Sequence, residues 1–279
     1  MWSVLTTAYS NWARHRSARL GAALAYYSVF SLGPILLIVI SIAGLWFGKD
    51  AVRGSLTAQF RGLLGPDGAQ AVEAMLKGAS SVESGGIAAA SGVVLLLIAA
   101  LGVVVQLKDA LNTIWDAPEP QGSGVWWYIR TYLISLAGVM ALGFLLMVSL
   151  VISTVLAGIS TWAGTAGSEA LLWEGVNFAV SLGVLTGLFG MLFKWFPDVP
   201  VRWRDVWPGA LASALLFEVG KLAIAWYIGS QGLESTYGAA ASLVVLLIWV
   251  YYTAQIVLFG AEISHAYAHR ASRPTGAEA

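Results

Sequence analysis

Glu218 and Lys221 stand three residues apart inside an apolar run over 207–228, with Ala, Leu, Val, Phe and Trp on either side. An ionised group at the centre of a bilayer costs about 2.5–3.5 kcal/mol even on the most forgiving insertion scale. Spaced i and i+3, the two side chains share a helical face and can partly neutralise each other. The chemistry open to them is proton binding at Glu218, with Lys221 as counter-charge, on a pathway through a membrane. The plainer reading is an ion pair that locks helices together and does nothing else.

The first apolar segment supplies a second group, in AALAYYSVFSLGPILLIV. Pro34 cannot donate to the carbonyl of Phe30, so a helix is expected to kink or open there. Gly33 removes steric support beside it, and Ser28 and Ser31 can supply local hydrogen bonds. Interrupted helices near mid-membrane border substrate cavities in transporters, although Pro is also tolerated in membrane helices for purely structural reasons. A second Pro-Gly, Pro208–Gly209, is expected near a helix start, where it costs little.

Glu262, His265 and His269 follow one face at the end of the last apolar segment. Glu-x-x-His is a spacing used by di-iron bundles, which need a second copy and further Glu ligands. No second copy exists and the only other histidine is His15, so a polar helix end is expected and no metal site. Glu262 lies nearest the bilayer and could line an inner vestibule. Lys108 and Asp109 are adjacent, point different ways on a helix and are expected to be solvated at the membrane edge. Gln106 and Gln255 could hydrogen-bond between helices. There is no HExxH, no GxSxG and no Walker-type loop. No histidine lies mid-span to serve a serine nucleophile. A non-enzyme without cofactor is expected.

Such residues must be carried by membrane helices. The chain has 279 residues, 58% of them hydrophobic and only 11% charged, where soluble domains carry about 25% charged residues. The mean hydropathy is +0.76. Six segments reach the roughly 20 apolar residues a spanning helix needs, at about 20–47, 87–107, 129–156, 176–195, 207–228 and 239–261. None alternates with period two, which argues against a β-barrel. The expected fold class is therefore all-α, a polytopic membrane bundle of six transmembrane helices. It forms a single integral membrane domain over 1–271, followed by a disordered cytoplasmic tail over 272–279. Arg14, Arg16 and Arg19 precede the first segment, but that segment is far longer than the roughly 7–15 apolar residues of a signal peptide. It reads as an uncleaved first span.

Lys and Arg set the orientation. Ten fall on one side: Arg14, Arg16, Arg19, Lys108, Arg130, Lys194, Arg202, Arg204, Arg270 and Arg273. Four fall on the other: Lys49, Arg53, Arg61 and Lys77. Both termini are expected to be cytoplasmic. Trp2, Leu5, Tyr9 and Trp12 recur at helical spacing, as suits a helix lying on the interface. The first outer loop, 49–84, carries two apolar stretches around a Gly-Pro-Asp-Gly turn at 65–68. Two short amphipathic helices capping the outer face would explain it, and so would a plain tethering loop. Without cysteine there are no disulfides and no thiolate sites. A formal net charge of zero speaks against nucleic acid as a partner. The expected partners are the lipid bilayer and a small solute or lipid.

The segments AALAYYSVFSLGPILLIVISIAG, LKDALNTIWD, KWFPDVPVRWRDVWPGALASALLFEVGKLAIAWYI and YGAAASLVVLLIWVYYTAQIVLFGAEI resemble the YihY/BrkB family of bacterial inner-membrane proteins. The resemblance covers about 14–268. Its distinctive features are Tyr26, Ser31 and Pro34 together, the stretch from Pro208–Gly209 to Lys221, and Gly260-Ala261-Glu262. It implies a six-helix membrane bundle. Members have carried the labels "ribonuclease BN" and "virulence factor", and no settled set of catalytic residues carries over. A nuclease needs carboxylate or histidine clusters, or an acid–base pair beside a basic groove, and the dense polar groups here lie at the edges of the spans. The expected function is transport-type, moving a small solute or lipid-like molecule past Glu218, Lys221, Tyr26, Ser31, Pro34 and Glu262. A non-transporting scaffold in envelope assembly is the alternative, and a ribonuclease comes last.

Overall fold

A computed structural model describes residues 2–80, 101–118, 168–231 and 241–272. Each regular element among them is a helix: α1 (Trp2–Arg14), α2 (Ser17–Phe47), α3 (Lys49–Ser80), α4 (helical over 101–114), α5 (Ser168–Trp195), α6 (Trp203–Gln231) and α7 (Ala241–Ser272). Among the described residues three stretches are long and apolar enough to cross a membrane: Ser17–Phe47, Phe178–Trp195 and Ala241–Arg270. The run over 207–228 lies on one continuous helix, α6. Of the remaining expected spans, 129–156 lies outside the described residues and 87–107 enters them only at 101.

Two expectations about proline change. α2 is helical from Ser17 to Phe47 with Pro34 buried inside it, so the chain does not open there. A single missing donor is tolerable where neighbouring helices shield the freed carbonyl. Pro208 is not at a helix start, because α6 already begins at Trp203.

α7 is the centre of the assembly. It packs along α6, α2, α1 and α3, whereas α2 and α6 make no substantial contact with each other. Its meeting with α6 is unusually close. A methyl group on Gly209 would overlap the Gly260 carbonyl and the Ser264 hydroxyl, and one on Gly260 would overlap the Ser213 hydroxyl. Gly209 and Ser213 on α6, and Gly260 and Ser264 on α7, are each four apart. They form the small-x-x-x-small pattern that lets membrane helices approach through their backbones. Both serines donate across the contact, Ser213 to the Ile256 carbonyl and Ser264 to the Val206 carbonyl, each at 3.2 Å. Farther along, Tyr252 donates to the Leu216 carbonyl at 2.9 Å. Gln255 reaches from α7 to the Ala18 carbonyl of α2 at 3.4 Å.

α3 folds back into the bundle instead of capping its outer face. Gly48, at φ 82°, ends α2 and reverses the chain. The α3 helix breaks at Gly65, at φ 75°, a conformation that glycine enters without penalty. The two halves bury Val52, Leu56, Ala71, Val72 and Leu76 against Val29–Ala43 of α2 and against Leu246 and Trp249 of α7. Those apolar faces gain more by burial between α2 and α7 than they would at a wet surface.

The opposite end of the bundle gathers α1 and the end of α7. α1 lies across the end of α7, with Val4 and Ala8 buried against Ile263 and Ala266. α7 runs well past the expected limit of its apolar segment, to Ser272. The end of α4, the turn between α5 and α6 and the start of α6 complete this face around Leu111, Ile114, Phe193, Val201 and Val206.

Candidate functional site

Two polar sites emerge, one midway along α6 and one at the end where the termini meet. In the first, Lys221 Nζ lies 2.5 Å from Glu218 Oε2, and Ser181 of α5 donates to Glu218 Oε1 at 2.8 Å. The Glu218 side chain is 12% exposed and that of Lys221 is 31% exposed. Both helices are otherwise apolar here, and Phe189 of α5 meets Phe217 of α6 edge to face. Each carboxylate oxygen thus has a partner from a different place, one from the next turn of α6 and one from α5. A proton, or another cation, that binds Glu218 must compete with Lys221, and so would release it.

The second site joins three stretches of chain. His15, in the turn between α1 and α2, places Nδ1 2.8 Å from Glu262 Oε1, and Ser17 donates to the same oxygen at 3.3 Å. The Arg14 guanidinium lies 3.2 Å from His15 Nε2. Glu262 is fully buried. Asp116, just past α4, faces two histidines: Oδ1 is 3.8 Å from His15 Nε2 and Oδ2 is 3.7 Å from His265 Nε2. Asp116 holds a left-handed φ of 48° to do so, which Asp tolerates better than most residues. Trp115 and His269 pack their rings on His265. Among the described residues no group of three or more His, Cys, Asp or Glu side chains is arranged to hold a metal ion.

The six residues singled out from sequence do not converge. Glu218 and Lys221 pair. Glu262 belongs to the end cluster. Ser31 and Pro34 are buried in α2, while Tyr26 is 59% exposed on the outside of the same helix, against Tyr27 and Phe30. None of the six lines the cavity of about 230 Å³ between α2, α3, α4 and α7, which Leu24, Ser28, Phe60, Trp249 and Thr253 help to enclose. Lys108 is not simply solvated. It pairs with Asp198 at 2.9 Å, its side chain only 14% exposed. Asn112 adds two further bonds to Asp198, each at 2.8 Å. Asp109, its neighbour, is solvent-facing, and partial burial together with nearby Asp198 raises its carboxyl above the ordinary range against the opposing pull of Lys108.

Residues 8–279 match the family described as Virulence factor BrkB. The chain belongs to that family. Among its BrkB-like relatives, a UPF0761 membrane protein of Verminephrobacter eiseniae is 31% identical, over 93% of this chain and 61% of that protein. One of Methylibium petroleiphilum is 30% identical, over 96% of this chain and 63% of its own length. One of Pseudoalteromonas atlantica is 28% identical, over 87% and 78%. The chain thus spans about three fifths of the first two relatives. No solved structure matches. Together with the apolar helices, these names make the BrkB-family chain a helical membrane protein.

Sequence reasoning passed over His15, Asp116, Ser181 and Asp198. For Asp116 and Asp198 the only available signal was their place inside the quoted segments LKDALNTIWD and KWFPDVP, and nothing in their spacing says what they touch.

Proposed function

We propose that this BrkB-family chain is a transport-type protein of the bacterial cytoplasmic membrane, moving a small solute or lipid-like molecule, with both termini in the cytoplasm. The observation that carries the reading is the Glu218–Lys221 pair held on an unbroken apolar helix with a hydroxyl from α5. Charged groups inside membrane helices mark ion and substrate pathways by default. Glu218 serves as the proton site and Lys221 as its counter-charge. Ser31 and Pro34, on the buried side of α2, and Glu262, at the terminal end, are the remaining pathway candidates, with Tyr26 at the lipid-facing edge. The orientation rests on the ten-to-four distribution of Lys and Arg between the two sides, read from the sequence.

Purified protein in vesicles tests the reading. A pH-sensitive dye inside reports proton movement, and a fluorescent phospholipid with an impermeant quencher reports lipid movement. Movement above empty vesicles, lost in Glu218→Gln, is expected. The scaffold reading has one point in its favour, since both Glu218 oxygens are already engaged, as a brace between α5 and α6 would be. It is preferred if wild type and Glu218→Gln behave alike in both assays while an envelope phenotype persists on deletion. A ribonuclease reading gains no support from the end cluster, where Glu262 and His265 are buried at the end of α7.

A further inference from the structure

The end cluster contains polar atoms that the protein leaves unpaired. Among the described residues, Glu262 Oε2, Trp115 Nε1 and both ring nitrogens of His265 are buried with no hydrogen-bond partner. Such orphans are costly and uncommon in folded proteins. His15 shows the contrast. A guanidinium only donates, so His15 Nε2 accepts from Arg14 and Nδ1 carries the hydrogen donated to Glu262. Both ring nitrogens of His15 thus have partners.

His265 has no such arrangement. It is 3% exposed. The charged and titratable groups that face it are Arg14 from α1, His15 from the following turn, Asp116 from the end of α4 and His269 from its own helix. Of these, only Asp116 favours a positive charge there. It is 64% exposed and stops 3.7 Å away, too wet and too distant to offset taking an imidazolium out of water. The neutral ring fits the packed state, and the protonated ring does not.

We propose that His265 is an acid-operated release built into the bundle: protonation drives the ends of α1 and α4 off the end of α7, so that water reaches the imidazolium. The moving parts are contacts already described. Val4 and Ala8 of α1 rest on Ile263 and Ala266, one turn or less from His265. Trp115 and Asp116 close over it from α4. In the closed form the ring stays neutral; in the open form it titrates as a free imidazole, near pH ~6.5. Acidification below that value then favours the open form by up to about tenfold per pH unit. Stability from this contact is full above the free imidazole's value and is lost as the pH falls. The inference stands apart from transport, since a scaffold could carry the same release.

Spin labels on Thr113→Cys of α4 and Arg270→Cys of α7 read the separation in a chain with no cysteine of its own. In lipid nanodiscs, the distance distribution is expected to lengthen between pH 7.5 and 5. His265→Gln, which cannot be protonated, should hold the short distance at both values. His265→Phe, an apolar ring that likewise cannot take a proton and needs no hydrogen-bond partner, should also hold the short distance at both values. It also tests the proposal if His265→Gln fails to fold. A shortening at pH 5, no change in the wild type, or a His265→Phe protein that lengthens as the wild type does would overturn the release.

Discussion

Gly209 on α6 lies against the carbonyl of Gly260 on α7, so close that a methyl group on either would enter the other helix. This contact sets how near two long helices approach, and with it the positions of Glu218 on one and Glu262 on the other. Gly209→Ala or Gly260→Ala should destabilise the fold by about 1–3 kcal/mol, the usual cost of overpacking. Ser213→Ala removes only a membrane hydrogen bond and should cost about 0.6 kcal/mol. Thermal melts of the three variants in detergent check the order. A Gly209→Ala protein as stable as the wild type would show that the helices are not in backbone contact.

Glu218 and Lys221 should depend on each other. Glu218→Gln or Lys221→Met alone strands a partner in apolar surroundings, at about 1–3 kcal/mol, less than for a dry pair because Lys221 retains some water. The double variant should recover about 0.5–3 kcal/mol of the summed loss. Ser181→Ala should cost less than either. Strictly additive single effects in melting experiments would mean that the pair is not coupled.

Asp198 ties the end of α4 to the turn after α5. Asn112→Ala removes two bonds to it while leaving the Lys108 ion pair, at about 1 kcal/mol given the exposure of Asp198. The consequence should be local, with faster amide exchange over 196–202 and little change in α6. Uniform loss of protection across the bundle would contradict a local tether.

The proposed orientation places Lys49 outside and Arg202 inside. Lys49→Cys should react with an impermeant thiol reagent added to intact spheroplasts, and Arg202→Cys only after the membrane is opened. The reverse pattern would invert the topology and move the end cluster to the periplasmic face.

The helices were legible in sequence wherever an apolar run of spanning length made them so, as over 20–47, 176–195 and 207–228. In α1, Trp2 and Tyr9 face outward while Val4 and Ala8 are buried. The contacts that build the sites were not legible. His15 and Glu262 are 247 residues apart, and Asn112 and Asp198 are 86 apart. Periodicity reports which face of a helix is apolar and is silent on which helix it meets. The helix does not open at Pro34 for a related reason. A proline removes one donor, but whether the helix then opens depends on the neighbours that shield the freed carbonyl. The folding-back of α3 escaped notice because its mixed composition reads equally well as a wet surface element.

The position of α7 in the chain has a consequence for how the protein is made. It is the last of the described helices to leave the ribosome, yet the partners of Ser17, Ala18, Gly209 and Ser213 all lie on it. Until residues 241–272 emerge, α1, α2 and α6 have been delivered to the membrane without the surface they were shaped to meet. Insertion and assembly are thereby separated in time, and the half-made protein is a set of loosely associated helices within reach of membrane proteases. Defects at Gly260 or Glu262 should therefore register first as fewer molecules surviving synthesis, before any change in what the survivors do.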